Sequence, residues 1–309
     1  RKRQDPQRFI AIHVQTQDGP ELLNISFAMS DAILKTYHML TEYPDEIKDA
    51  VIEYMDLLES QNFNLSRLQN EASELRIQTS YDFVKTIKFK DPKYVGDPIN
   101  AVKIFNEKEA DELIVLDIDA SVNDSEPNFG MIAKLAAECR MPLCYGGGIK
   151  TVKQAVKIIS LGVEKIALSS AAIEKPLLVK EISEAVGCQS IVIVLDVKKD
   201  SLLKKYSTFI NNGTKDCNKN PVVLAKEFEL HGAGEIVINS IDNDGLMQGY
   251  DDVITKKIRD VIDIPLTVLG GAGGLDDFQH LIDKFGIIGL GAGSYFVFKG
   301  PYRAVLINY

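Results

Sequence analysis

Residues 141–150 read MPLCYGGGIK, and residues 264–273 read IPLTVLGGAG. Each is a short apolar run that starts from Pro-Leu, reaches adjacent glycines and leads into an amphipathic segment. Pro142 to Pro265 is a step of 123 positions, and the same step carries Leu143 to Leu266, Gly147 to Gly270, Gly148 to Gly271 and Glu112 to Glu235. A step one longer carries Gly162 to Gly286 and Ser170 to Ser294. This is an internal repeat roughly four strand–helix units long. Further runs flank these two: ELIVLDI (112–118), EKIALSS (164–170), SIVIVLDV (190–197), GEIVINSI (234–241) and GIIGLGAG (286–293). Between them lie helix-period segments such as TVKQAVKIISLG and DDVITKKIRDVI. Continuous apolar strands separated by helices are parallel strands covered on both sides. The pattern therefore predicts an α/β fold, a (β/α)8 barrel of two half-barrels rather than an open sheet.

The chain has 309 residues, 45% of them apolar, and a net charge of −9. The acidic balance argues against a nucleic-acid binder, which shows a basic stripe. No apolar run approaches the ~20 residues of a membrane span, and the basic start RKRQDPQRF is not followed by the apolar core of a signal peptide. Cys139, Cys144, Cys188 and Cys217 have neither paired nor metal-type spacing, and the four histidines are equally scattered. Reduced thiols in a cytoplasmic protein, with no metal or cofactor, are the expectation. Residues 1–80 stand outside the repeat. RFIAIHV suits a strand, while SFAMSDAILKTYHML and PDEIKDAVIEYMDLLES have helical apolar spacing. This block is either a helical extension or insertion ahead of a barrel at 81–309, or a segment that also supplies the first barrel strand.

In a barrel the loops after the strands form the functional face. Glycine turns let backbone N–H groups approach an anion. Gly147 and Gly148 follow one strand and Ser170 ends the next; Gly270, Gly271, Gly293 and Ser294 repeat the arrangement. Each half thus offers one phosphate cradle, and two cradles imply a ligand with a phosphate at each end. Carboxylates close the apolar strands: Asp117 and Asp119, Asp196, then Asp242 and Asp244. An unpaired carboxylate is costly to bury, so these groups read as catalytic or ligand-binding; a helix cap or a partner for a loop lysine is the alternative, for Asp119 and Asp244 above all. The long polar run after Asp196 suits a hairpin near the mouth. Glu112, Lys165 and Glu235 each lie at a strand start, as a salt-bridge plug or a gate.

DELIVLDIDAS, YGGGIKTVKQAVKIISLGVEKIALSSAA, VLDVKK, GAGEIVINSIDNDGLMQGYD and LGGAGGLDDF resemble the cyclase subunit of imidazole glycerol phosphate synthase, the HisF family of histidine biosynthesis. VKTIKFKDPKYVGDPINAVKIFNEKEA and FKGPYRAVLINY resemble a paralogous branch linked to amidination of sugars in bacterial surface polysaccharides. The resemblance covers residues 84–309. It implies a lyase acting on a bisphosphorylated substrate with ammonia from a glutaminase subunit docked on the bottom of the barrel, forming a heterodimer. It assigns Gly147, Gly148, Ser170, Gly270, Gly271 and Ser294 to phosphate, Glu112, Lys165 and Glu235 to an ammonia gate, and Asp196 to general acid catalysis. Lys85, Asp117, Asn239, Ser240, Asp242, Asp244 and Gly245 match mouth residues. Two departures stand out. Leu269 replaces a small residue before a phosphate glycine. The family's second catalytic aspartate, on the first strand, falls near Ile77, Gln78 or Thr79, and Asp82 is the nearest carboxylate.

Overall fold

The computed structural model describes residues 8–16, 81–108, 110–200, 204–299 and 304–305. In chain order, β1 (Arg8–Thr16) is followed by the strands β2 (Tyr81–Ile87) and β3 (Lys90–Gly96), helix α1 (Pro98–Glu107), β4 (Glu112–Asp117), α2 (Phe129–Glu138), β5 (Leu143–Gly146), α3 (Val152–Ser160) and β6 (Lys165–Leu168). Then come α4 (Ser170–Glu174), α5 (Leu177–Val186), β7 (Ile191–Lys199), β8 (Tyr206–Ile210), β9 (Lys215–Asp216), α6 (Pro221–Leu230) and β10 (Glu235–Ser240). The last units are α7 (Asp252–Arg259), β11 (Leu266–Leu269), α8 (Leu275–Phe285), β12 (Gly289–Ala292) and α9 (Ser294–Val297).

Eight strands form a closed parallel ring. β4, β5, β6, β7, β10, β11 and β12 pair in succession. β1 closes the ring, parallel to β4 from Phe9↔Glu112 to Val14↔Asp117 and to β12 from Arg8↔Leu290 to Ile10↔Ala292. The barrel expected from the glycine repeat is present, and each of the apolar runs quoted above supplies a strand. Of the alternatives left open for residues 1–80, the register answers for residues 8–16: they supply the first barrel strand. The helices expected at 26–40 and 44–60 lie outside the described residues.

The helices start where local chemistry starts them. The side chain of Asn128 accepts from Met131 N at 2.9 Å ahead of α2, Thr151 and Gln154 form a reciprocal capping box at α3, and Asp251 caps α7. These caps fix the strand–helix loops at one end of the ring. Inside it, Ile114, Cys144, Ala167, Val192, Val194, Val237 and Leu269 pack with Leu116 as an inner apolar column. A larger core lies between strands and helices. Two antiparallel ribbons extend the ring at its loop end. β2 pairs with β1 and β3, and β7 runs on past Asp196 to pair with β8, which pairs with β9. The latter is the hairpin expected after Asp196.

Candidate active site at the barrel mouth

At the strand-start end, alternation along β4, β6 and β10 brings three charges together. Lys165 Nζ lies 2.8 Å from Glu112 Oε2 and 3.0 Å from Glu235 Oε2, and Thr267 Oγ1 donates to Glu235 Oε1 at 2.7 Å. Burial alone would lower the Lys165 pKa; the two carboxylates outweigh it and raise it. Burial pushes Glu112 up to about 7 against the pull of Lys165. Among the described residues Glu112 Oε1 has no hydrogen-bond partner. Arg8 opens β1 at this end, one position before the residue paired with Glu112.

The same alternation two and four residues on gives the apolar column and then the mouth. Asp196 and Asn239 are register partners on β7 and β10, and Asn239 Nδ2 donates to Asp196 Oδ1 at 3.0 Å. Both are buried. Burial raises Asp196 to about 7, opposed by the Asn239 bond and reinforced by the Asp244 charge. Asp117 is raised to about 6 by burial, although its Oδ1 accepts from the N–H groups of Ala120 and Asp119. Lys85, on β2, is lowered to about 8 by burial, with Asp244 pulling the other way. Asp244 is held by Thr86 Oγ1 at 2.8 Å and by the Phe89 N–H.

Two recesses open at this end. The first, about 510 Å³, has Leu116, Ala167 and Val194 from the apolar column in its lining, with Asp117, Asp196 and Asn239 beside them and Gly147, Gly148 and Ser170 along one wall. The second, about 20 Å³, gathers Lys85, Asp244, Gly245, Gly270, Gly271, Gly293 and Ser294. The repeat holds at this scale. Gly147 (φ +124°) lies so close to β4 that a Cβ would sit 2.6 Å from Asp117 O. Gly270 (φ +90°) lies so close to β10 that a Cβ would sit 2.7 Å from Ser240 O. Asp117 and Ser240 are themselves one repeat step apart.

The expected mouth residues divide between the two recesses, except Asp82, Asp119, Ser240 and Asp242, which line neither. Ser240 ends β10, and its carbonyl accepts from the N–H groups of Asn243 and Asp244. Asp242 accepts from the Lys199 N–H at 2.8 Å, anchoring the β7–β8 hairpin. Asp82 lies on β2, paired in register with Gln15, and does not line the recess around Asp196. The first barrel strand is Arg8–Thr16, and RFIAIHVQT contains no Asp or Glu; Ile77, Gln78 and Thr79 lie outside the described residues. By register His13 pairs with Leu116 as Asp196 pairs with Asn239, one repeat step on. Sequence reasoning missed Phe89, Asn211 and Asn212, which also line the first recess. The one signal for the latter pair is Asn-Asn-Gly inside a hairpin, a composition suited to left-handed turn residues.

A closed parallel barrel with a twofold glycine repeat, a buried strand-end aspartate and a charged cluster at the opposite end defines a twofold (β/α)8 protein. The family model described as "Histidine biosynthesis protein" matches residues 79–302, and the chain belongs to that family. It is 56% identical over 226 residues to the "Putative imidazole glycerol phosphate synthase subunit hisF3" of Vibrio vulnificus, covering 73% of this chain and 87% of that one. It is 37% identical over 226 residues to the imidazole glycerol phosphate synthase subunit HisF of Natranaerobius thermophilus, covering 73% and 89%. To the HisF of Pyrococcus furiosus it is 38% identical over 204 residues, covering 66% and 79%. Among the described residues no helix is long and apolar enough to cross a membrane.

Proposed function

We propose that the chain is an ammonia-using lyase of the cyclase type, acting on a bisphosphorylated substrate. Its ammonia would come from a glutaminase docked at the Glu112–Lys165–Glu235 end. The observation that carries the reading is Asp196: a buried carboxyl held near neutrality at about 7, beside a recess whose glycine wall suits an anion. The apolar column runs from that recess toward the charged ring, a path suited to a small uncharged nucleophile. With the phosphate ends held in the two recesses, the substrate carbonyl is fixed beside Asp196. As the ammonia nitrogen adds to carbon, the carbonyl π pair moves to oxygen, which takes the Asp196 proton. The carboxylate then takes a proton from the new C–N nitrogen. The Asn239 amide keeps the carboxyl oriented.

The test is turnover of the substrate of imidazole glycerol phosphate synthase with ammonium chloride, and with glutamine plus the candidate glutaminase. Activity with both supports the whole reading. Activity with ammonium alone removes the partner. Activity with neither leaves a different substrate or a non-catalytic scaffold barrel.

Two observations favour a second reading, amidination of a nucleotide-linked sugar with the same ammonia chemistry. The recesses are unequal, about 510 and 20 Å³, which suits a ligand bulky at one end. The first strand also carries no carboxylate to complete an acid pair for ring closure. Turnover of a nucleotide sugar, but not of the bisphosphate, would select it.

A further inference from the structure

The hairpin after β7 ends in a turn of three successive left-handed residues, Asn211 (φ 52°), Asn212 (φ 52°) and Gly213 (φ 70°). Such a run is sterically costly for most residues; Asn and Gly tolerate it best. The turn is held on several sides. Its base is fixed by Lys199 N–H to Asp242 and by Tyr206 OH to both Asp251 oxygens at 2.8 and 2.9 Å. Lys219 Nζ donates to Ile173 O of α4 at 2.7 Å, and Lys215 lies 3.6 Å from Glu174 of the same helix. Gly213 lies against the Phe89 ring so closely that a Cβ would sit 2.8 Å from it. So held, the turn presents the Asn211 N–H to Ser170 Oγ at 3.1 Å. Both residues line the first recess beside Gly147 and Gly148.

We infer that Asn211 is a positioning residue of the first recess: its backbone N–H sets the Ser170 hydroxyl so that the hydroxyl hydrogen is free for a phosphate monoester oxygen. A serine hydroxyl has one hydrogen to give and two lone pairs. A phosphate oxygen carrying negative charge only accepts, so the hydroxyl must donate to it. An N–H aimed at Oγ occupies a lone pair and polarises the O–H toward donation. Without it the hydroxyl rotor is free to turn to other acceptors. Asn211 acts through Ser170 and through its backbone, so the requirement is a left-handed residue at 211, not an amide side chain. The inference rests on the reading of Gly147, Gly148 and Ser170 as an anion cradle.

The experiment uses the full chain and inorganic phosphate, with affinity by calorimetry and location by crystal soaking. The parent is expected to bind phosphate against Ser170. Asn211→Gly keeps both the N–H and the left-handed turn, and should bind within ~2-fold of the parent. Asn211→Val, strained at positive φ, should bind ~5–10-fold more weakly in the first recess and unchanged at Ser294. Ser170→Ala should lose a similar factor, and Asn211→Val added to Ser170→Ala should lose no more. Asn211→Ala, less strained, should be intermediate, and replaces valine if that variant fails to melt cooperatively. Parent-like affinity in the valine and alanine variants, or losses that multiply in the double variant, would overturn the positioning role alone. No phosphate against Ser170 in the parent would sink the cradle reading and this inference with it.

Discussion

The two ends of the barrel hold the same kinds of residue and treat them in opposite ways. At the strand-start end Lys165 lies between two carboxylates, which keep it charged against burial. At the mouth Lys85 is pushed down to about 8 and Asp196 up to about 7, each by burial that nearby groups do not fully offset. At the first end pairing keeps the lysine charged, although burial still raises Glu112 to about 7. At the mouth burial moves both the lysine and the carboxyl toward the pH at which protons move easily. The lesson is that a buried charge is structural or chemical according to how its burial is compensated.

The largest effect is expected at Lys165. Lys165→Met leaves Glu112 and Glu235 facing each other without a cation, and should cost about 3–5 kcal/mol in urea denaturation. Replacing all three charges with apolar residues should recover most of that. A lysine variant of parental stability would mean that pairing is not what this end depends on. Asp196→Asn is the counterpart at the mouth. Ammonia-dependent turnover should fall ~10²-fold or more while phosphate binding persists. Its melting temperature at neutral pH should not fall, because the amide removes a buried carboxyl and can still accept from Asn239.

A pH series reads the carboxyls that burial raises at both ends. Glu112, Asp117 and Asp196 are all raised by burial, to about 7, 6 and 7. Between about pH 4, where unfolded carboxyls ionise, and pH 7 the folded chain therefore holds more protons than the unfolded one. Their contribution to stability falls as pH rises through that window, and Asp196→Asn should flatten part of the slope in thermal melts. At constant free ammonia, turnover in the parent should decline above about pH 7 as the Asp196 acid form is lost. The smallest expected effects come from single hydroxyls. Thr267→Val should cost about 1–3 kcal/mol by leaving Glu235 Oε1 unpaired, with phosphate affinity unchanged. Ser294→Ala should lower phosphate affinity ~5–10-fold with little change in stability.

Much of this was legible in the residues. The glycine repeat required strands of one sense at a fixed spacing, and those spacings predict the ring, the turn glycines and Asp196 at a strand end. The first strand was not legible by the same means. Spacing arguments assume that a barrel strand and its loop are neighbours in the chain, and here residues 17–80 intervene between β1 and β2. Asp82, the nearest carboxylate to Lys85 in sequence, therefore does not lie on a barrel strand. Asn211 and Phe89 were missed for a related reason. A single residue on a polar hairpin has no periodicity, and its role depends on contacts some 40 and 155 positions away, to Ser170 and Asp244.

The pairing of Thr16 with Tyr81 has a consequence for how such a chain can be edited. Antiparallel partners sit only about 5 Å apart, so the chain departs from the barrel and rejoins it at nearly the same point. Two adjacent ends are the geometry of a socket: what is joined between them need only span one hairpin turn. An Asn-Gly pair placed directly between Thr16 and Tyr81 would meet the backbone requirement of a two-residue hairpin. Such a shortened chain should close the same ring and keep the Phe9↔Glu112 register. By the same geometry the site should accept an unrelated small domain whose own termini lie close together.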